Sequence, residues 1–263
     1  MPLNLPIRFI LQSIRPRLQA SATHLFLSAI VAVCVIAVVK LRWYPGPLDR
    51  ASGVASILLL LLAVDVALGP LLTLVVYNRA KKNLRFDLAC MVALQLAALA
   101  YGVHTVEAGR PHYLVFVKDR FEIVSRSDLD AEDLAKAATN PFARPNWFSP
   151  KTVAVEASSS FREREEAMLE AAAGGRDLQH FPANYRDLST QLTSIVGASI
   201  DLSELRAFNP DRLPELDAIL ARYSQPGKML RFVPLKGLTA DLTVLVDGDS
   251  GVPVATVDMN PWK

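Results

Sequence analysis

The sequence predicts a membrane protein with three transmembrane α-helices followed by a soluble α+β domain. Three observations predict it. Leu, Ala and Val dominate from Thr23 to Val106, whereas charges are spread through the chain from Glu107 onward. Short polar linkers break the apolar part into three runs. The polar part alternates between stretches of period 2 and stretches of helical period, the signals of strands and amphipathic helices. The chain therefore divides into a basic N-terminal segment (1–22), a transmembrane region (23–106) and a polar domain (107–263).

The formal net charge of the 263 residues is +2, which gives no reason to expect nucleic-acid binding. The two cysteines, Cys34 and Cys90, lie inside apolar runs. The polar domain has none, so disulfides do not hold it and cysteine usage leaves the redox compartment open.

The expected spans are about 23–39, 54–77 and 86–104, each near or above the roughly 20 residues that cross a hydrocarbon core. Lys40 and Arg42 can lengthen the first by snorkelling, and Trp43 and Tyr44 suit an interfacial belt. A cleaved signal peptide is disfavoured, because no small-x-small site follows the first run. Leu41–Gly53, with Pro45-Gly46-Pro47, reads as a turn-rich connection. Asn78–Arg85 carries Arg79, Lys81, Lys82 and Arg85, so spans two and three form a hairpin with a basic tip. Basic loops stay in the cytoplasm, and Arg8, Arg15 and Arg17 add to that side. Lys40, Arg42 and Arg50 in the other linker weaken the bias without reversing it. The expected topology is N-terminus inside and polar domain outside. Ile7, Ile10, Leu11, Ile14 and Leu18 at helical spacing leave two readings open: a short helix on the membrane surface, or a basic lead-in.

In the polar domain, Tyr113–Val117 and Phe121–Ser125 read as strands around a turn at Lys118-Asp119. Asp130–Ala138 reads as a helix and Thr152–Glu156 as a strand. Ser160 and Glu163 have capping-box spacing, with a stop at Gly174-Gly175. Leu213, Leu216, Ile219, Leu220 and Tyr223 make the stripe of another helix. Leu242–Val246 and Val252–Val257 flank Asp247-Gly-Asp-Ser-Gly251, a hairpin signature with glycines where positive φ is needed.

The search for catalytic chemistry finds none. Gly248-Asp249-Ser250-Gly251 resembles the surroundings of a serine nucleophile, but it falls in the hairpin turn and lacks a His and Asp context. Asp128-Leu-Asp130-Ala-Glu132-Asp133 lacks the glycine and terminal glutamate of a calcium loop and reads as a charged helix start. His24, His104, His112 and His180 have no ligand spacing. No phosphate-binding glycine loop occurs. The expectation is a non-enzyme with no catalytic residue, no cofactor and no metal.

Span two carries the informative residues. Asp65 lies deep in an apolar run, where an ionisable group costs a few kcal/mol. Asp65, Gly69 and Thr73 at i, i+4 and i+8 share one helical face, and small or polar residues on one face are what helix contact in lipid uses. Pro70 removes a backbone donor and should kink the helix, freeing the Val66 carbonyl. The face can pack internally on span three, with Gln95 as the partner of Asp65, or dock a partner helix. An ion pathway is disfavoured by the scarcity of other ionisable groups.

These residues also carry a resemblance. Asp65-Val-Ala-Leu-Gly-Pro-Leu-Leu-Thr73, Lys81-Lys-Asn-Leu-Arg-Phe-Asp-Leu88, Gln95, Ala98-Leu-Ala-Tyr-Gly102, Arg110-Pro111, Val115-Phe116 and Asp119-Arg-Phe121 resemble the type IV pilin accessory family, TfpX/TfpZ and FimB-like proteins of the Gram-negative inner membrane. Weaker similarity runs through Gly175-Arg-Asp177, Tyr185 and Met259-Asn-Pro-Trp262. The resemblance implies a chaperone-like accessory to a major type IV pilin, with the polar domain in the periplasm and other pilus assembly proteins as further candidate partners. It implies no catalytic residue. The competing reading is an envelope sensor with a ligand-binding outer domain, against which the basic tip is too short to be a signalling output. A membrane enzyme or transporter lacks a site motif and has too few spans.

Overall fold

The computed structural model describes residues 5–156, 169, 176–224 and 228–262, with side chains in the first helix from Ile14 onward. The capping box at Ser160 and Glu163 and the stop at Gly174-Gly175 lie outside the described residues. The chain forms two units: Met1–Val39 with Val54–Glu107, and Lys40–Gly53 with Ala108–Lys263.

The first unit is helical. Helix α1 (Leu5–Val38) contains Pro16 and runs on through a π-helical turn, Val39–Trp43. Its backbone is continuous from the basic lead-in through the apolar run, so the lead-in is not a separate helix. The second span is α3 (Val54–Leu62), a π-helical stretch at Ala63–Leu68, and α4 (Gly69–Val76). The third is α5 (Leu84–Ala108). Ile14–Trp43, Val54–Val76 and Leu84–Ala108 are each long and apolar enough to cross a membrane.

Pro70 is accommodated in a way that periodicity does not reveal. The backbone widens before it, and the Gly69 amide reaches the Val64 carbonyl. A proline ring crowds the preceding turn and removes a donor, and π-bulges are one remedy. Asp65 lies inside that widened stretch.

The second unit is a seven-stranded mixed sheet in the order β4-β3-β1-β2-β5-β6-β7. Its strands are β1 (Pro111–Val117), β2 (Arg120–Ser125), β3 (Lys151–Val155), β4 (Tyr185–Arg186), β5 (Leu230–Lys236), β6 (Leu242–Asp247) and β7 (Pro253–Val257). The expected β1–β2 hairpin is present in antiparallel register, with Lys118 at φ 58° in its turn. Among the described residues the unit also holds helices α6 (Ala131–Lys136), α7 (Leu192–Gly197), α8 (Leu202–Phe208) and α9 (Leu213–Tyr223), together with the short α2 (Leu48–Ala51).

Every residue of β1 is buried, as a central strand covered on both faces requires. One face carries Leu114, Phe116, Phe121, Val233, Leu235, Leu242 and Val244, packed with Ile195 of α7 and with Leu48 and Ala51 of α2. The opposite face has two clusters. Tyr113, Val115, Val124, Val153 and Tyr185 pack with Leu129, and Phe232, Leu245, Val257 and Met259 pack with Leu205 and Leu216 of α8 and α9. Burial pushes the Tyr113 hydroxyl up to about 12, and it donates to the Ala143 carbonyl at 2.5 Å. Asn209, 5% exposed, pins the closing segment: its amide donates to the Asn260 carbonyl and its oxygen accepts from the Asn260 amide, both at 2.9 Å.

Leu41–Gly53 is more than a connection. Leu48 and Ala51 enter the core of the sheet unit. The Ala51 carbonyl accepts from the Leu238 and Thr239 amides at 2.8 and 2.9 Å. Lys40 pairs with Asp49, and Arg50 with Asp258. Trp43 and Tyr44, expected in an interfacial belt, are 8% and 2% exposed.

The β6–β7 hairpin shows what Ser250 does. The Asp247 carboxylate accepts from the Ser250 amide and hydroxyl, each at 2.9 Å, and from the Asp249 amide at 3.1 Å. The Ser250 amide, followed by its hydroxyl, holds the Asp247 carboxyl below the usual carboxylate range. Gly251 has φ +64°, whereas Gly248 is not among the positive-φ glycines, so one glycine of the pair supplies the left-handed residue.

Candidate functional site

The five residues singled out on spans two and three lie in the interior of the helical unit. Gly69, Pro70 and Thr73 are buried, and Asp65 and Gln95 are half-buried. A Cβ at Gly69 would lie 1.9 Å from Gln95 Nε2, so the amide rests directly on the glycine backbone. Further along α5, a Cβ at Gly102 would meet Leu61 Cδ2 at 2.1 Å. Thr73 Oγ1 lies 3.9 Å from Met91 Sδ. Met91, Gln95 and Gly102 thus form one stripe on α5 that meets Thr73, Gly69 and Leu61 in antiparallel order. Small residues permit this approach where lipid supplies no hydrophobic drive between helices.

The internal reading made Gln95 the partner of Asp65, but no hydrogen bond joins the two. The Gln95 amide is turned onto Gly69, and Gln95 Oε1 is buried with no hydrogen-bond partner. The π-helical stretch changes the angular offset between residues 65 and 69 from that of a regular α-helix, so a side chain resting on Gly69 is not aligned with Asp65 as an i, i+4 count assumes. Among the described residues, the Asp65 carboxylate makes no hydrogen bond, and it lies within electrostatic reach of His24.

Helix α1 supplies polar partners that sequence reasoning missed. Ser21 Oγ donates to the Pro70 carbonyl at 2.8 Å. His24 Nδ1 lies 2.5 Å from Thr73 Oγ1, which also donates to the Gly69 carbonyl at 3.1 Å. A signal was available: Ser21, His24 and Ser28 recur at i, i+3 and i+7 in a run otherwise rich in Leu, Ala and Val.

The three helices enclose an open groove of about 490 Å³. His24, Ser28, Asp65, Thr73 and Gln95 contribute its polar wall, and Leu27, Val92 and Leu96 are among its apolar lining. Asp65, Thr73 and Gln95 are brought together here, while Gly69 and Pro70 hold the helices close behind them. Such a site can grip an apolar segment along its length and offer hydrogen bonds at one depth. Among the described residues, no group of three or more His, Cys, Asp or Glu is placed to hold a metal ion. The remaining histidines are dispersed: His104 is exposed, His112 is buried, and His180 Nδ1 accepts from the Asp177 amide at 3.2 Å.

The chain is similar to known proteins over most of its length. The family model "Fimbrial assembly protein FimB" matches residues 12–53, which cover α1 from residue 12 and the α2 segment. A fimbrial assembly protein of Dichelobacter nodosus, serogroup I, is 30% identical over 186 residues, covering 70% of this chain and 72% of the relative. The serogroup E1 protein matches to the same extent. The protein of serogroups C1 and C2 is 32% identical over 119 residues, covering 44% of this chain and 91% of that relative. No solved structure matches the chain. This similarity, 30% identity over more than two thirds of the relative, makes the chain a member of the fimbrial assembly protein family.

Proposed function

We propose that this membrane protein serves pilus assembly as an inner-membrane accessory that binds a cognate type IV pilin, stabilising it or passing it on, without being an enzyme. The observation that carries the reading is the groove, where polar side chains from all three helices converge and Gln95 Oε1 is buried without a hydrogen-bond partner. A buried polar atom without a partner is costly, and a docking helix that supplies a donor would remove the cost. A pilin awaiting assembly is a single apolar helix with a polar head, which matches an open groove in lipid. In this reading the N-terminus is cytoplasmic and the sheet unit periplasmic, as the basic tip favours.

Photo-crosslinking in membranes tests it. A photoreactive residue at Val92 or Leu96, on the groove, is expected to capture pilin, and one at Leu59 or Leu60, exposed off the groove, is not. Equal capture at both places, or none at the groove, refutes the reading. The same strain with a C-terminal alkaline phosphatase fusion should be active and with a C-terminal GFP fusion dark. The reverse pattern would overturn both topology and pilin contact. Ser250→Ala should leave piliation unchanged, because the hydroxyl serves the Asp247 turn. Loss of pili at normal protein abundance would restore the nucleophile.

A further inference from the structure

Trp147 and Phe148 stand on the surface of the sheet unit, each 59% exposed. They lie in Arg144-Pro-Asn-Trp-Phe-Ser-Pro150, ahead of β3. The turn is built firmly around them. Asn146 Oδ1 accepts from the Phe148 amide at 3.1 Å, and Asn146 Nδ2 donates to Ser149 Oγ at 3.2 Å. Pro145 and Pro150 restrict the flanking backbone. Arg110, 2% exposed, donates from Nη1 to the Trp147 carbonyl at 2.6 Å. Its guanidinium lies 5.0 Å from the Trp147 ring and 5.9 Å from the Trp43 ring. The Arg42 guanidinium lies 5.5 Å from the Phe148 ring.

These contacts fix where the two exposed rings sit along the chain's path. Arg42 and Trp43 are the last residues of the spanning segment Ile14–Trp43, and Arg110 is two residues beyond the segment Leu84–Ala108. Phe148 thus stacks on a residue that directly continues the first spanning-length segment, and Trp147 on one that closely follows the third. Trp43 and Tyr44 are buried in the sheet unit and present little surface to headgroups. We infer that Trp147 and Phe148 form a bilayer-interface anchor whose rings insert into the headgroup boundary. Aromatic rings favour that layer, and the neighbouring Arg42 and Arg144 suit anionic phospholipid. The inference rests on the membrane-spanning character of the chain and is independent of pilin.

The test uses the purified full chain in phosphatidylglycerol nanodiscs, without pilin. Trp43→Phe with Trp262→Phe leaves Trp147 as the sole tryptophan. Trp147 emission should be blue-shifted relative to free tryptophan in water. Lipids brominated near the headgroup end of the acyl chain should quench it several-fold more than aqueous iodide does. Phe148→Cys carrying an environment-sensitive dye, with Cys34 and Cys90 replaced by Ala, gives the same readout with Trp43 intact. A water-like emission quenched mainly by iodide, or a dye signal indifferent to lipid, overturns the anchor and leaves the rings to a protein partner, pilin or a second copy.

Discussion

Gly69→Leu is expected to lower the abundance of the protein several-fold in the membrane. The Cβ alone would fall 1.9 Å from Gln95 Nε2 and 2.9 Å from Gln95 Cδ, and leucine adds three further carbons beyond it. Overpacking of this kind costs about 2 kcal/mol, and a loss of that size changes cellular abundance several-fold. Part of the clash is with the mobile end of a glutamine, which makes the prediction specific. Gly69→Leu combined with Gln95→Ala should recover much of the abundance, because the pair shares one space and its effects cannot add. Immunoblotting of membranes for the two single variants and the double variant gives the answer. Normal abundance of Gly69→Leu, or a double variant worse than the sum of the singles, would refute the close approach. If Gly69→Leu keeps normal abundance but loses pilin capture, the glycine serves the partner and not the bundle.

Gly237→Ala is expected to destabilise the sheet unit by about 3 kcal/mol, a large effect for one methyl group. The added Cβ would lie 2.1 Å from the Ala240 carbonyl oxygen and 2.8 Å from Ala51 Cβ. The first neighbour is backbone in the same turn and the second is in the core beneath the sheet, so neither can give way like the tip of a flexible side chain. The Gly237 amide also donates to Asp241 Oδ1 at 3.0 Å, so displacing the turn breaks a hydrogen bond as well. The contacts of Ala51 with Leu238 and Thr239 should loosen, releasing the Leu48–Ala51 helix. The expected readouts are a lower melting temperature of the detergent-solubilised chain and faster tryptic cleavage at Arg50. A melting temperature and cleavage rate equal to wild type would show that α2 is not clamped by this turn.

The sequence by itself determined the helical unit's spans, the basic tip, the β1–β2 and β6–β7 hairpins and the helix at Leu213–Tyr223. Each is fixed by local patterning: an apolar run of spanning length, alternation around turn residues, or a stripe of helical period. The sequence also singled out Asp65, Thr73 and Gln95, because polar residues in a long apolar run are rare. Tertiary structure decided what those residues meet. Gln95 rests on Gly69 with no hydrogen bond to Asp65, and the backbone widens before Pro70, altering the helical phase that the i, i+4, i+8 count assumes. Ser21 and His24 enter the site from a helix nearly 50 residues away, and no local pattern links them to Pro70 and Thr73. β5 was missed because Pro234 argues against a central strand, and it is tolerated where pairing with β2 is confined to Phe121–Leu235 and Glu122–Lys236. The place of Leu48 and Ala51 under the sheet, and of Trp147 beside Arg110, depends on long-range packing, which burial and close contact decide and sequence spacing does not.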